Sequence, residues 1–173
     1  MKKRFESTYS KRNNLASVTI MSLKLFNEEF FCKIKKIIDI FAPKTLYFDF
    51  AVCEQNKKAI YHDLEALDNN SKCIVSQSKN TGRLAYESSV NYLVEILRII
   101  VKYDLEESTF FEPKNFTWEQ YLLDGTFGDK FYKYDIADAV FTVCSHEGFH
   151  FILFRTDIFD YGDIISKIEE ALI

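Results

Sequence analysis

The residues with the clearest chemical potential are the two histidines and the glutamate of an H-E-x-x-H pattern at residues 146–150. On a helix, His146 and His150 would lie one turn apart on one face, so both imidazoles could bind a single zinc ion. Glu147, beside the first histidine, could then polarise a metal-bound water and act as general base. The pattern makes Glu147 a candidate catalytic residue and His146 and His150 candidate metal ligands.

The neighbours of this pattern resemble those of the zinc metalloproteases of the zincin families. Uncharged residues flank it on both sides, namely Val143, Cys144, Phe151 and Ile152. The resemblance covers ten residues and implies a third zinc ligand, for which Glu169 and Glu170 lie at suitable distances downstream. The longer H-E-x-x-H-x-x-G-x-x-H form is absent. The resemblance implies a small zinc-dependent hydrolase, with zinc as cofactor.

The same stretch, residues 139–155, also fits a β-hairpin. Both flanks of the motif are rich in Val, Thr and Phe, which favour strands over helices. Glu147 and Gly148 would form a two-residue turn. One face would carry Val140, Thr142, Cys144, Phe149, Phe151 and Leu153, and the other Phe141, Val143, Ser145, His150, Ile152 and Phe154. The propensities favour this hairpin, which would not hold the histidines in the protease arrangement.

The remaining patterns predict the elements that position these residues. Alternating β-branched and aromatic residues predict strands over residues 16–26 and 45–53. Helical spacing predicts a helix to about residue 41 with Asn27 as N-cap, a long helix over 84–103, and a last helix from about Asp163.

These elements predict the α+β class. We expect a single domain over residues 15–173, with an antiparallel or mixed sheet of about four or five strands and helices packed on it. A C-terminal β-hairpin followed by a terminal helix would complete it. Residues 1–14 are polar and basic, which predicts a flexible arm.

Composition narrows the classes of function. Residues 1–86 carry 15 Lys and Arg against 9 Asp and Glu, whereas residues 87–173 carry 7 against 17. The chain lacks the dense basic stripe that nucleic-acid binding needs. With five glycines, it also lacks a P-loop or dinucleotide-binding pattern.

The apolar runs and the cysteines predict the cellular compartment of the protein. No apolar run approaches the roughly 18 residues of a membrane span. The four cysteines form no C-x-x-C pair, and each lies in or beside an apolar run. We therefore expect buried free thiols in a reducing, cytoplasmic setting, with no membrane association.

An acidic, aromatic segment near the middle of the chain predicts a protein-binding face. Aromatic side chains supply contact area at interfaces, and acidic side chains attract a basic partner. The candidate partner-binding residues are Glu106, Glu107, Glu112, Trp118, Asp124, Phe127, Asp129, Tyr132, Tyr134, Asp135 and Asp138. A separate acid, Asp49, lies within an apolar strand, and alternation predicts that it faces solvent beside Tyr47.

The leading hypothesis is a protein-binding domain without catalysis, because no complete catalytic set is present. An acidic inhibitor or immunity-type protein that caps a basic toxin or nuclease fits this character, and it needs no cofactor. The hypothesis predicts salt-sensitive binding that charge reversal at Asp124, Asp129 and Asp135 weakens. The alternatives are the zinc hydrolase and an oligomer subunit that uses an exposed sheet edge.

Overall fold

The computed structural model describes residues 5–22, 27–67, 72–75, 83–105, 108–114, 137–144 and 149–173. These residues form one eight-stranded sheet and four α-helices. The strands are β1 (Phe5–Arg12), β2 (Leu15–Ser22), β3 (Thr45–Ala51), β4 (Lys72–Val75), β5 (Arg83–Ser89), β6 (Ser108–Phe111), β7 (Ala139–Cys144) and β8 (Phe149–Arg155). The helices are α1 (Glu28–Asp39), α2 (Lys57–Glu65), α3 (Leu93–Lys102) and α4 (Tyr161–Leu172).

The sheet is antiparallel at every described pairing, in the order β1-β2-β8-β7-β6-β3-β5-β4. The predicted α+β class is confirmed, but the predicted number of four or five strands is too low. The shortest strands, β4 and β6, have four residues each, which is too few for a clear alternation pattern.

The long helix predicted over residues 84–103 is wrong in its first half. Residues Arg83–Ser89 form β5 and pair with both β3 and β4, and the helix α3 begins only at Leu93. Leu84, Ala85 and Tyr86 are all buried, so the strand is covered on both faces. A strand buried on both faces loses the alternation by which a sequence reveals it.

The flexible arm predicted for residues 1–14 is corrected for residues 5–12, which form β1. This strand pairs with β2 along its whole length, through a two-residue turn at Asn13 and Asn14. Asn13 has a φ of 54°, the left-handed conformation that such hairpin turns require at their first position. The strand contacts α1 through Phe5, because the Phe5 ring stacks on the Phe30 ring with centroids 6.2 Å apart.

The helix α1 confirms the prediction made for it. The Asn27 side chain accepts a hydrogen bond of 3.0 Å from the Phe30 backbone N–H, and Glu28 and Glu29 lie in the first turn, where negative charge is favourable. Phe30, Phe31, Ile34, Ile37 and Ile38 are buried on one side of the helix. This apolar side packs on the sheet.

The helices mark one face of the sheet, which we call the helix-covered face. Phe30 of α1 contacts His150 of β8, Tyr161 of α4 stacks on Phe154, and the Tyr86 hydroxyl donates to the Leu64 carbonyl of α2. Phe48, Phe110 and other aromatic residues fill the core between sheet and helices. Among the described residues, no helix is long and apolar enough to cross a membrane.

Two of the cysteines correct one expectation. Cys32 and Cys53 are free, as predicted, but both are exposed and not buried. Cys32 lies on the outer side of α1, away from its apolar stripe, and Cys53 follows the end of β3.

Candidate functional site

The stretch at residues 139–155 forms strands on both sides of the H-E-x-x-H motif. Strands β7 and β8 pair directly, as the hairpin interpretation predicted, and Val140 lies opposite Leu153 and Thr142 opposite Phe151. The predicted two-residue turn at Glu147 and Gly148 does not fit this register. The last pair is Cys144 with Phe149, so four residues, 145–148, connect the strands.

His150 lies in the core and not on a catalytic helix. It is 2% exposed on the helix-covered face, opposite Val143, and its ring centroid lies 4.5 Å from that of Phe30. Burial lowers the pKa of His150 to about 3, so the imidazole is neutral at physiological pH. Residue 150 is therefore a core residue of β8, and the helix that the zincin resemblance requires is not formed.

The described residues of the zinc hypothesis form no metal site. His146 and Glu147 lie outside the described residues. Glu169 is exposed on α4 and hydrogen bonds to the hydroxyl of Tyr9, a residue of β1. Within the described ranges, no group of three or more His, Cys, Asp or Glu side chains could hold a metal ion.

Two of the predicted partner-binding residues are described, and they lie in one cleft. Glu112 and Asp138 both line a cavity of about 340 Å³ at one end of the sheet. We call it the acidic cleft, and its lining residues are Phe41, Pro43, Glu112, Pro113, Lys114, Asp138, Ala139, Phe141 and Phe159. The other predicted residues, Glu106, Glu107, Trp118, Asp124, Phe127, Asp129, Tyr132, Tyr134 and Asp135, lie outside the described part of the chain.

The antiparallel register of β6 and β7 explains why these two acids meet. Phe111, the last residue of β6, pairs with Val140 near the start of β7. Glu112 therefore leaves the sheet at the same end at which Asp138 enters it, although they are 26 positions apart in the sequence. The fold thus brings two acids of a long acidic segment to the lining of one cavity.

An aromatic wall forms the apolar side of the acidic cleft. The Phe41 ring packs edge-on against Phe141, with centroids 5.3 Å apart, and against Phe159, at 5.1 Å. Pro43 follows the end of α1, and Pro113 follows β6. Such an arrangement presents flat apolar surface next to charge, which suits an amphipathic side chain.

Charged groups form the rim of the cleft. Asp138 accepts a hydrogen bond of 3.0 Å from the Lys114 ammonium, and the Arg155 guanidinium lies 3.9 Å away. The Glu112 carboxylate accepts a hydrogen bond of 3.1 Å from the Lys44 backbone N–H. Among the described residues, the rim thus combines two carboxylates with one ammonium and one guanidinium.

The acids of the rim remain accessible to a ligand. Glu112 is exposed, and the Asp138 side chain is 29% exposed. Lys114, which pairs with Asp138 in this structure, is itself 45% exposed. Surface pairs of this kind are worth about 0–1 kcal/mol, so an incoming cation can replace the lysine.

No family model, curated protein or solved structure matches the chain. The functional assignment therefore depends on the geometry and charge of the acidic cleft.

Sequence reasoning missed the apolar half of the cleft. Phe41 and Pro43 come from the end of α1, and Phe159 precedes α4, so they are far from the acidic segment in the sequence. No local pattern distinguishes these residues from ordinary core or turn residues. The one available signal was that Pro43 and Pro113 each follow a predicted element or an apolar run.

Asp49 is a second residue whose environment was predicted wrongly. It is 1% exposed, so it does not face solvent. It lies on the sheet face opposite the helices, beside Thr109 of β6, which is 4% exposed. Thr109 and Thr142 bring their hydroxyls within 3.4 Å of each other in the same row. Asp49 and Thr109 are buried, Thr142 is half-buried, and none of the three lines the acidic cleft.

Proposed function

We propose that this chain is a non-enzymatic protein-binding domain whose acidic cleft receives a basic side chain of a protein partner. The observation that carries the proposal is the meeting of Glu112 and Asp138 beside the Phe41 and Phe159 rings in one cavity. Partners of this chemistry include basic toxins and nucleases, for which the chain would act as an inhibitor or immunity-type protein.

The cleft matches the two parts of an arginine or lysine side chain. The aliphatic stem of such a side chain packs well on apolar and aromatic surface, while its charged group seeks carboxylates. Phe41, Pro43 and Phe159 supply the surface, and Glu112 and Asp138 supply the carboxylates. A guanidinium would gain more than an ammonium because its planar donors can contact a carboxylate through two hydrogen bonds.

Accessible charges also predict how binding depends on salt. Exposed ion pairs are screened at physiological ionic strength, where the Debye length is about 8 Å. The rim acids would therefore increase the association rate with a basic partner most strongly at low salt. An apolar wall beside them would retain part of the affinity at high salt.

Reversal of the charge at Glu112 on the rim of the cleft should prevent capture of the partner. We expect immobilised wild-type protein to retain a basic protein from a cell lysate at low salt, and the Glu112→Lys protein to lose it. The reason is that the new ammonium would repel the incoming cation, which should cost at least about tenfold in affinity. Mass spectrometry of the eluted proteins measures the difference.

The matched control is Glu65→Lys, which makes the same charge change at an exposed position of α2. This variant should retain the same basic protein as the wild type. Equal retention by all three immobilised proteins, or retention of acidic proteins alone, would contradict the proposal.

A further inference from the structure

The strand β1 presents a long outer edge. Among the described strands it pairs with β2 alone, and it stands at the end of the sheet order. All eight of its residues pair with β2 without a bulge, and it contains neither proline nor glycine. Bulges, prolines, short length and charged side chains are the usual means by which proteins block an edge. Of these, β1 has only the charged side chains of Glu6, Lys11 and Arg12.

The inner face of the strand also contacts the helices α1 and α4. The Lys33 ammonium lies 4.9 Å from the centroid of the Phe5 ring, and the Lys11 ammonium lies 5.2 Å from that of Tyr161. Tyr9 shares a hydrogen bond of 2.7 Å with Ser7. The backbone groups of the edge are therefore presented by an ordered strand.

The hairpin geometry decides which of these groups point outward. Arg12 and Leu15 flank a two-residue turn, so they form a hydrogen-bonded pair. Hydrogen-bonded and non-hydrogen-bonded positions alternate along an antiparallel strand. The N–H and C=O groups of Phe5, Ser7, Tyr9 and Lys11 consequently point away from β2, toward the edge that no described strand covers.

A second copy of the same strand matches this edge in one register. If two β1 strands meet antiparallel with Tyr9 opposite Tyr9, the outward groups of Ser7 face those of Lys11 in the other copy. In the same register, Glu6 of each copy lies directly opposite Arg12 of the other copy, so the two-fold symmetry gives two such pairs. Both residues are exposed on the sheet face opposite the helices. They occupy non-hydrogen-bonded pairs, where opposed side chains lie closest.

We infer that the chain forms a two-fold symmetric dimer through β1, in which Glu6 of each copy pairs with Arg12 of the other. The two sheets become one continuous sheet, and the helices of both copies lie on the same face. A partner strand in another register would leave the charges of Glu6 and Arg12 unmatched. The dimer is independent of the acidic cleft, which lies at β6 and β7.

Charge reversal with rescue tests this register. Sedimentation equilibrium of the wild-type chain should show a monomer–dimer equilibrium. Glu6→Arg and Arg12→Glu should each raise the dissociation constant at least about tenfold, because each opposes like charges twice. The double variant, Glu6→Arg with Arg12→Glu, restores opposite charges and should return the constant to near the wild-type value.

Two matched controls make the same charge changes on α2, which contacts β4 at the far side of the sheet. Glu65→Arg and Lys58→Glu are exposed there and should leave dimerisation unchanged. Unchanged thermal melts would show that every variant is folded. A wild type that stays monomeric at hundreds of micromolar, single reversals without effect, or a double variant that fails to recover would each overturn the inference.

Discussion

Replacement of Phe48 by alanine is expected to lower the free energy of unfolding by about 3–5 kcal/mol. Phe48 is 1% exposed at the centre of β3, where its ring contacts three others. The centroids of Phe50, Tyr86 and Phe110 lie 5.7, 6.2 and 5.3 Å away. Removal of the ring would leave a cavity among rigid aromatic neighbours that cannot collapse to fill it. Urea denaturation monitored by circular dichroism measures the loss.

The control for this prediction is Ile158→Ala. Ile158 is 49% exposed, so its truncation should change the stability by no more than about 0.5 kcal/mol. If Phe48→Ala were as mild as Ile158→Ala, the aromatic core between the sheet and the helices would not exist as described.

Acid is expected to destabilise the protein through His150. The pKa of this imidazole is about 3 in the folded chain, against an ordinary value of 6.5, because burial disfavours its charged form. Above pH 6.5 the imidazole is neutral in both the folded and the unfolded chain, and its pKa shift has no effect on stability. Below pH 6.5 only the unfolded chain takes up the proton, so stability falls as the pH is lowered toward 3. At pH 4.5 the loss from this residue should reach roughly 2–3 kcal/mol.

A non-titrating variant isolates this contribution. We expect the drop in unfolding free energy between pH 7 and pH 4.5 to be smaller in His150→Leu than in the wild type by that amount. Identical pH profiles for His150→Leu and the wild type would show that the imidazole is accessible to water.

The sequence predicted the helices and strands that bury one face and expose the other. The helix α1 has a capping residue and a single apolar stripe, and β2 alternates regularly, so both were found close to their real positions. The strand β5 was mistaken for a helix because Leu84, Ala85 and Tyr86 are buried on both faces. Local patterns report the exposure of one face, and they fail where tertiary contacts cover both.

The same limit applies to the candidate site. The acids Glu112 and Asp138 could be chosen from the sequence because charge is visible there. Their meeting depends on the register of β6 with β7, and the Phe41 ring reaches them from another layer of the fold. The H-E-x-x-H motif illustrates the converse error, since its spacing has chemical meaning only on a helix, whereas His150 lies on a strand.

The central claim, that the acidic cleft receives a basic side chain, is tested most directly by an NMR titration with N-acetyl-arginine amide. The matched ligand is N-acetyl-citrulline amide, which has nearly the same shape but no charge. The account predicts shifts of the Lys44, Asp138 and Phe159 backbone amides with the arginine compound at low salt. It predicts much smaller shifts with citrulline, and a loss of the arginine effect in Glu112→Lys. Equal shifts with both compounds, or shifts confined to residues outside the cleft, would contradict it.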